Sequence, residues 1–190
     1  HSHRPEQAGG QEFIASKDAW FRPTMLKTGP DGALWIADFY RLILEHPEWI
    51  PDDVEQKLKL RSGSDRGRLY RVYPTENTPR SIPKLSNKTK PELVASLDSP
   101  SGWQRDTVQR ILVNQNDPST ATHLEELLKK TKNPKTRLHI LYTLEGINKI
   151  RPNHLIIGLT DSHPGVREHS IRISEILFKR NQADPIKESL

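Results

Sequence analysis

Three Arg-led segments recur along the second half of the chain. "LDSPSGWQRDTVQRIL", "TKNPKTRLHILYTLEGI" and "LTDSHPGVREHSIRISEIL" superpose on Arg105, Arg137 and Arg167, at intervals of 32 and then 30 residues. Each opens with a small polar or Pro-containing turn, places an Arg, and continues with apolar residues at helical spacing. Each follows a helix-like stretch ending in Leu. One helix pair cannot bury its apolar stripe alone. Paired helices at this period therefore predict an α-solenoid, in which every pair leans on its neighbours.

The helix boundaries are written in the same region. Thr89-Lys90-Pro91-Glu92 has the capping-box pattern before "LVASL". Asp117-Pro118, Asn133-Pro134 and Asp184-Pro185 each set a capping side chain before a Pro at a first helical position. Leu124, Leu127 and Leu128, then Leu138, Leu141, Leu144 and Ile147, keep the 3.6-residue rhythm. About three repeats are expected over 89–190. The closing "DPIKESL" begins a further helix with no polar terminal cap, so the chain reads as a segment of something longer.

The first part obeys a different rule. Trp20, Trp35, Trp49, Phe13, Phe21, Phe39, Tyr40, Tyr70 and Tyr73 all precede residue 74, whereas Trp103, Tyr142 and Phe178 follow it. Aromatics suit half-buried pleated surfaces, so this part leans to strand. Phe13-Ile14, Pro23 to Lys27, Ala33 to Asp38 and Gly67 to Tyr73 are the expected strands. Gly29-Pro30-Asp31-Gly32 makes the turn between the second and third. "RLILEHPEWIPDDVEQKLKLRSGSDR" is a long excursion with a helical stretch near Asp53 to Leu60. Short strands with Gly-rich turns predict an antiparallel β-meander, the unit of a propeller blade. One such sheet cannot bury both faces and needs neighbours. The expected class is α+β: a β-meander over 1–74, a Pro-rich connector over 75–88 and a helical array over 89–190.

Composition removes several chemistries. The chain has no Cys, which excludes disulfides, thiolate metal sites, thiol nucleophiles and covalent haem attachment within it. No apolar run approaches the roughly 18 residues that span a bilayer. The formal charge of +5 is the balance of a solvated surface. The most basic stretch, "KKTKNPKTR" at 129–137, falls in an inter-helix turn without the stacking aromatics that nucleic-acid binding wants. His123, His139, His154, His163 and His169 show no paired metal spacing. There is no Gly-rich phosphate loop and no nucleophile elbow.

Unusual residues concentrate in the excursion, where Glu45-His46-Pro47-Glu48-Trp49 packs an imidazole, two carboxylates and an indole into one run. Long loops in compact folds are often functional. His46, Arg66 and Arg68 are the candidate catalytic residues: a base or ligand near neutral pH, and two forks for a quinone or carboxylate. Asp38, Arg41, Glu48 and Trp49 are the candidate substrate- or cofactor-binding residues. The same side chains equally suit loop fixing, with His46 on a backbone carbonyl, Trp49 plugging a sheet edge and the Arg residues paired to Asp38, Asp52 or Asp53. Arg105, Arg137 and Arg167 suit an inter-repeat ladder, and Trp103 an inter-repeat plug.

"EFIASKDAWFRP", "GPDGALWIADFYRLILEHPEWIP", "GSDRGRLYRVYP" and "SGWQRDTVQRIL" together resemble the membrane-bound dehydrogenase family of large bacterial proteins, the PVC-type haem-binding CxxCH proteins. The resemblance runs from about Glu12 to about residue 180; "DSHPGVREHSIRI" is similar to the second-helix start of a HEAT repeat. That family joins a β-propeller similar to quinoprotein sugar dehydrogenases to HEAT-like repeats and often a cytochrome c domain. The resemblance implies that this chain is the last blade and the first repeats. It implies an exported or periplasmic protein that oxidises a sugar or other alcohol. It further implies PQQ with Ca²⁺, haem c in a domain outside this chain, and the remaining blades as partners. The competing expectation is a non-enzymatic scaffold whose helical surface holds a protein partner.

Overall fold

The computed structural model describes residues 12–44 and 46–179. The chain divides into two compact units, residues 1–29 with 33–79 and residues 30–32 with 80–190. In sequence order it is α+β, strands first and helices after.

The first unit is built on a three-stranded antiparallel sheet in the order β1-β2-β3, with β1 at Pro23–Thr28, β2 at Leu34–Asp38 and β3 at Arg68–Val72. Ile36 sits opposite Leu26 on one side and Tyr70 on the other; Ala37 sits opposite Met25 and Leu69. Partnered residues share a face, so Leu26, Ile36 and Tyr70 line one face while Met25, Ala37 and Leu69 line the other. The hairpin closes with the Gly29 amide donating to the Ala33 carbonyl at 2.8 Å.

Two expected elements are absent or shortened. Phe13-Ile14 lies in a bend rather than a strand, and β1 pairs with β2 instead; Phe13 is 76% exposed. The helix expected over Asp53 to Leu60 is a single turn, α1, at Asp52–Glu55. Its preceding residue is Pro51, which offers no capping side chain, and no residue of the turn is buried. Nothing rewards its extension.

Among its described residues the second unit carries six α-helices: α2 Lys90–Ala95, α3 Gly102–Gln115, α4 Thr120–Lys130, α5 Pro134–Gly146, α6 Pro152–Leu159 and α7 Pro164–Lys179. The Glu92 carboxylate accepts from the Thr89 amide at 2.8 Å and its hydroxyl at 2.7 Å, which starts α2 as the sequence predicts. Asn133 Oδ1 accepts from the Lys135 amide at 3.0 Å and starts α5, with Pro134 in its first turn. Asp117-Pro118 behaves differently. The helix begins at Thr120, and the Asp117 carboxylate instead folds a turn, accepting from the Ser119 amide at 2.9 Å and hydroxyl at 2.8 Å. Asp184-Pro185 lies outside the described residues, as does Glu45 of the excursion.

The recurring Arg has one repeated task. Arg105, Arg137 and Arg167 each stand in the first turns of α3, α5 and α7, and each guanidinium donates to the carbonyl six residues earlier, on Ser99, Thr131 and Asp161 at 2.5, 3.3 and 2.8 Å. The side chain thus folds the polar turn back onto the helix it introduces. α3 packs on α5 and α5 on α7, while α2 packs on α4. A core of Leu97, Leu112, Leu124, Leu141, Leu144, Leu155 and Leu177, all fully buried, runs through the unit. Trp103 is half-buried against it. Burial of each such side chain stabilises by about 1.5–3 kcal/mol.

Polar links tie one helix pair to the next. Arg137 grips Asp161 with two bonds, Nε to Oδ2 at 2.5 Å and a terminal nitrogen to Oδ1 at 2.8 Å. Asp98 accepts from Thr131 and Thr136 hydroxyls at 3.0 and 2.8 Å. Lys90 pairs with Asp117, and together with the Ser119 amide holds that carboxyl down to about 2. His139 meets Gln109 at 2.6 Å, and Tyr142 meets His169 at 2.8 Å.

Candidate functional site

The end of β2 is where charge gathers in the first unit. Asp38 closes that strand with a side chain that is 0% exposed. One oxygen accepts from the backbone amides of Arg22 at 2.8 Å and Tyr40 at 2.9 Å. The other takes Arg68, which opens β3 directly opposite, through Nε at 2.9 Å and a terminal nitrogen at 2.8 Å. Burial pushes the Asp38 carboxyl up. The Arg22 amide, the Arg68 guanidinium and the Tyr40 amide outweigh it and hold the group below the usual carboxylate range. Arg68 also reaches Asp18 at 3.2 Å and lies 4.0 Å over the Tyr40 ring.

Arg41 closes the excursion. Its guanidinium donates to the Gly63 carbonyl and to the Tyr40 carbonyl at 3.1 Å, and it lies 4.3 Å from the Phe39 ring centroid. Tyr40 adopts φ 52° and Gly63 φ 89°. A Cβ on Gly63 would run into the Tyr40 carbonyl, so only glycine permits this approach. The ends of the long loop are therefore pinned twice, by Arg41 onto Gly63 and by Arg68 onto Asp38.

Beside these pins lies an open cleft of about 310 Å³, to which Thr24, Ala37, Asp38, Arg41, Ser64 and Arg68 contribute. Three of the residues picked out in the sequence, Asp38, Arg41 and Arg68, thus come together. His46, Glu48, Trp49 and Arg66 do not line this cleft. His46 and Glu48 flank and enter a short 3₁₀ turn at Pro47–Trp49, with side chains 63% and 83% exposed and 3.8 Å apart. Trp49 is 78% exposed rather than plugging an edge. Arg66 stands 3.9 Å from Asp65, both largely in solvent. Asp18, Tyr40 and Ser64 belong to the cluster and were not picked out in the sequence. The one sequence signal near them is Gly63 in "RSGSDRG", a residue that tolerates the positive φ of a turn; nothing in the sequence marks Asp18 or Tyr40.

The donor set does not suit the cofactors that the family resemblance brings with it. Ca²⁺ wants six to eight oxygen ligands. The buried Asp38 already holds a guanidinium and two amides, and no group of three His, Asp or Glu among the described residues is placed to hold a metal ion. A polycarboxylate quinone wants free guanidinium forks, whereas Arg41 and Arg68 are engaged by carbonyls, Asp38 and Asp18. Haem c attachment needs cysteines that the chain lacks. What the arrangement does chemically is lock a loop to a sheet.

A family model for a domain of unknown function, DUF7133, matches residues 1–76, which span the sheet, the excursion and the end of β3. No curated protein and no solved structure matches the chain. Among the described residues no helix is long and apolar enough to cross a membrane.

Proposed function

We propose that this chain is an architectural module of a larger exported dehydrogenase-like protein, with the chemistry carried elsewhere in that protein. Its sheet serves as one blade of a β-propeller, and its helices form a HEAT-like solenoid arm. The observation that carries this reading is the poverty of the first unit's interior. Its buried apolar side chains among the described residues are Ala33 and Ile36, while Met25, Leu26, Leu69 and Trp49 are 51–78% exposed. A sheet with this much bare apolar surface is stable only when another layer covers it. Further blades would supply that layer. PQQ with Ca²⁺ would sit in a pocket those blades complete, and haem c in a separate domain.

The test has two arms. Chain 1–190 should show no quinone-dependent oxidation of sugars or alcohols, and turnover by it would overturn the module reading. In the longer natural protein, amides of β1 and β3 should exchange much more slowly than in chain 1–190. Equal exchange would remove the covering layer from the account. His46→Ala and Arg66→Ala in the longer protein then separate a loop that borders the pocket from one that only decorates the surface.

A second reading, a non-enzymatic scaffold, draws on the continuous core and polar links among the described residues of the second unit. It predicts that the helical unit retains a partner when the sheet is disrupted.

A further inference from the structure

Among the described residues the second unit forms the pairs α2–α3, α4–α5 and α6–α7, and its second helices pack in the order α3, α5, α7. Each pair shows the next one the same positions. The fourth and fifth residues after the recurring Arg face forward. On α3 the fourth is Gln109, 2.6 Å from His139 of α5. On α5 the fourth is Leu141, which is 0% exposed and lies against α6 at Gly158. The fifth is Tyr142, 2.8 Å from His169 of α7. Arg137 points the same way and takes Asp161 from the turn between α6 and α7.

α7 carries the same forward positions. Arg167 keeps the bond to its own turn, through one terminal nitrogen to the Asp161 and Ser162 carbonyls at 2.8 and 3.0 Å. Among the described residues no carboxylate pairs with it. Ile171 stands where Leu141 stands on α5, yet it is 58% exposed. Phe178, two turns on along the same stripe, is 39% exposed. Arg172, at the position of Tyr142, reaches Glu168 of its own helix at 3.7 Å. These positions make an interface on α5 and stand open on α7. A stacked helix pair buries such a stripe by taking a neighbour.

We infer that the outer face of α7 seats a further helix pair of the same build, supplied by a longer protein of which this chain is a module, with an Asp or Glu in its connecting turn for Arg167. Two features choose this occupant. The face continues an interface that the unit already builds between α5 and the α6–α7 pair. The guanidinium asks for a carboxylate at a fixed place beside the apolar stripe. Asp161 follows Arg137 by 24 residues, so the new carboxylate follows Arg167 by about the same interval. Ile171 then packs on the first helix of that pair, as Leu141 does on α6 at Gly158. The inference rests on the module reading of the chain but concerns the helical unit alone, and it stands apart from the propeller.

The test compares α7 in chain 1–190 with α7 in the longer protein. In chain 1–190, Ile171→Asp should leave the denaturation midpoint of the helices unchanged, since the side chain is mostly in solvent. A loss as large as that from Leu141→Asp would mean that the chain covers the face itself, which overturns the inference. In the longer protein, α7 amides should exchange at least about tenfold more slowly than in chain 1–190, the scale of burying one Ile side chain. Ile171→Asp should abolish that difference. Arg167→Glu should reduce it, and Lys at the acidic position of the added turn should restore it, a reversal that a role confined to its own turn would not give. Equal exchange of α7 in the two proteins overturns the inference, as does a longer protein with no acidic residue near that interval. A dimer of chain 1–190 that Ile171→Asp dissociates would make the occupant a second copy, which also overturns it. Slow exchange of α7 beside fast exchange of β1 and β3 would keep this inference and remove the covered sheet, so the two failures are told apart.

Discussion

Replacing Asp38 by Ala removes, in one step, the acceptor of two backbone amides and the partner of Arg68. Hydrogen bonds to a charged group contribute about 1.5–3 kcal/mol each, and the three orphaned donors sit at the junction of strand and loop. The expected outcome is loss of the β2–β3 pairing with the helices intact, seen as exchange of residues 68–72 without loss of helical circular dichroism. Acid should loosen the same junction. The Asp38 carboxyl is held below its ordinary value of 3.8, so its contribution is complete above that pH and fades as pH falls further. His154 works at a higher pH. Burial first pushes its imidazole below 6.5, and Glu125 opposes without overcoming this. The unfolded chain then binds a proton that the folded one resists, so helical stability is full above about pH 6.5 and declines below it. His154→Gln should flatten part of that decline in thermal melts between pH 5 and pH 7, the rest belonging to His139, which burial pushes down in the same unit; an unchanged slope would place the titration elsewhere. The residues alone offered Asp38 both as a ligand and as a partner for the Arg residues of the excursion; the register of β2 on β3 decides for the partner and picks Arg68. The role of His154 was not legible in them.

At the scale of elements, the repeated Arg gives a graded prediction. Arg137 serves both its own turn and Asp161 of the next helix pair, in a contact where the two side chains are 13% and 5% exposed. Arg167 donates to carbonyls of Asp161 and Ser162. Arg137→Ala leaves a buried carboxylate with its charge uncompensated, which costs about 3–5 kcal/mol, whereas Arg167→Ala loses carbonyl bonds and costs about 1–2 kcal/mol. Chemical denaturation of the two variants checks the order, and equal losses would deny Arg137 its inter-pair role. The interval of 32 and 30 residues made the repeated turn readable in the sequence, because the same turn chemistry recurs wherever a helix must be started; the expected inter-repeat ladder is seen at Arg137, while Arg105 and Arg167 bond carbonyls of their own turns. Helix starts at Thr89 and Asn133 were readable for the same reason. The strand at Phe13-Ile14 and the helix beyond Glu55 were misread, since β-propensity and short-range periodicity say nothing of whether a partner strand or a core lies within reach. Close approach was invisible too. A Cβ at Gly158 of α6 would overlap the Ser170 hydroxyl on α7 and come within 3.1 Å of Leu141. Gly158→Ala should therefore destabilise by about 1–3 kcal/mol, despite the better helix propensity of Ala.

For the molecule as a whole, the two units differ in what holds them. The helical unit has a continuous Leu and Ile core together with polar links from pair to pair, and each link buries part of its own cost. The sheet unit has Ala33 and Ile36 inside, and its coherence rests on ion pairs and loop pins at one end of the strands. Apolar burial scales with area and survives salt, while partly exposed ion pairs are screened. Two consequences follow for chain 1–190. Native-state exchange should find the amides of α3 and α5 protected to near the global limit, and those of β1 and β3 open at far lower free energy. Raising the salt to about 1 M, where the screening length falls to roughly 3 Å, should widen that gap by loosening Arg68 from Asp18 while leaving the helices untouched. A single cooperative transition in which sheet and helices exchange together, with no response to salt, would contradict this division. The proposed covering layer over Met25 and Leu69 makes the opposite prediction for a longer protein that carries it: there the gap should close, because burial is added to the ion pairs that hold the sheet.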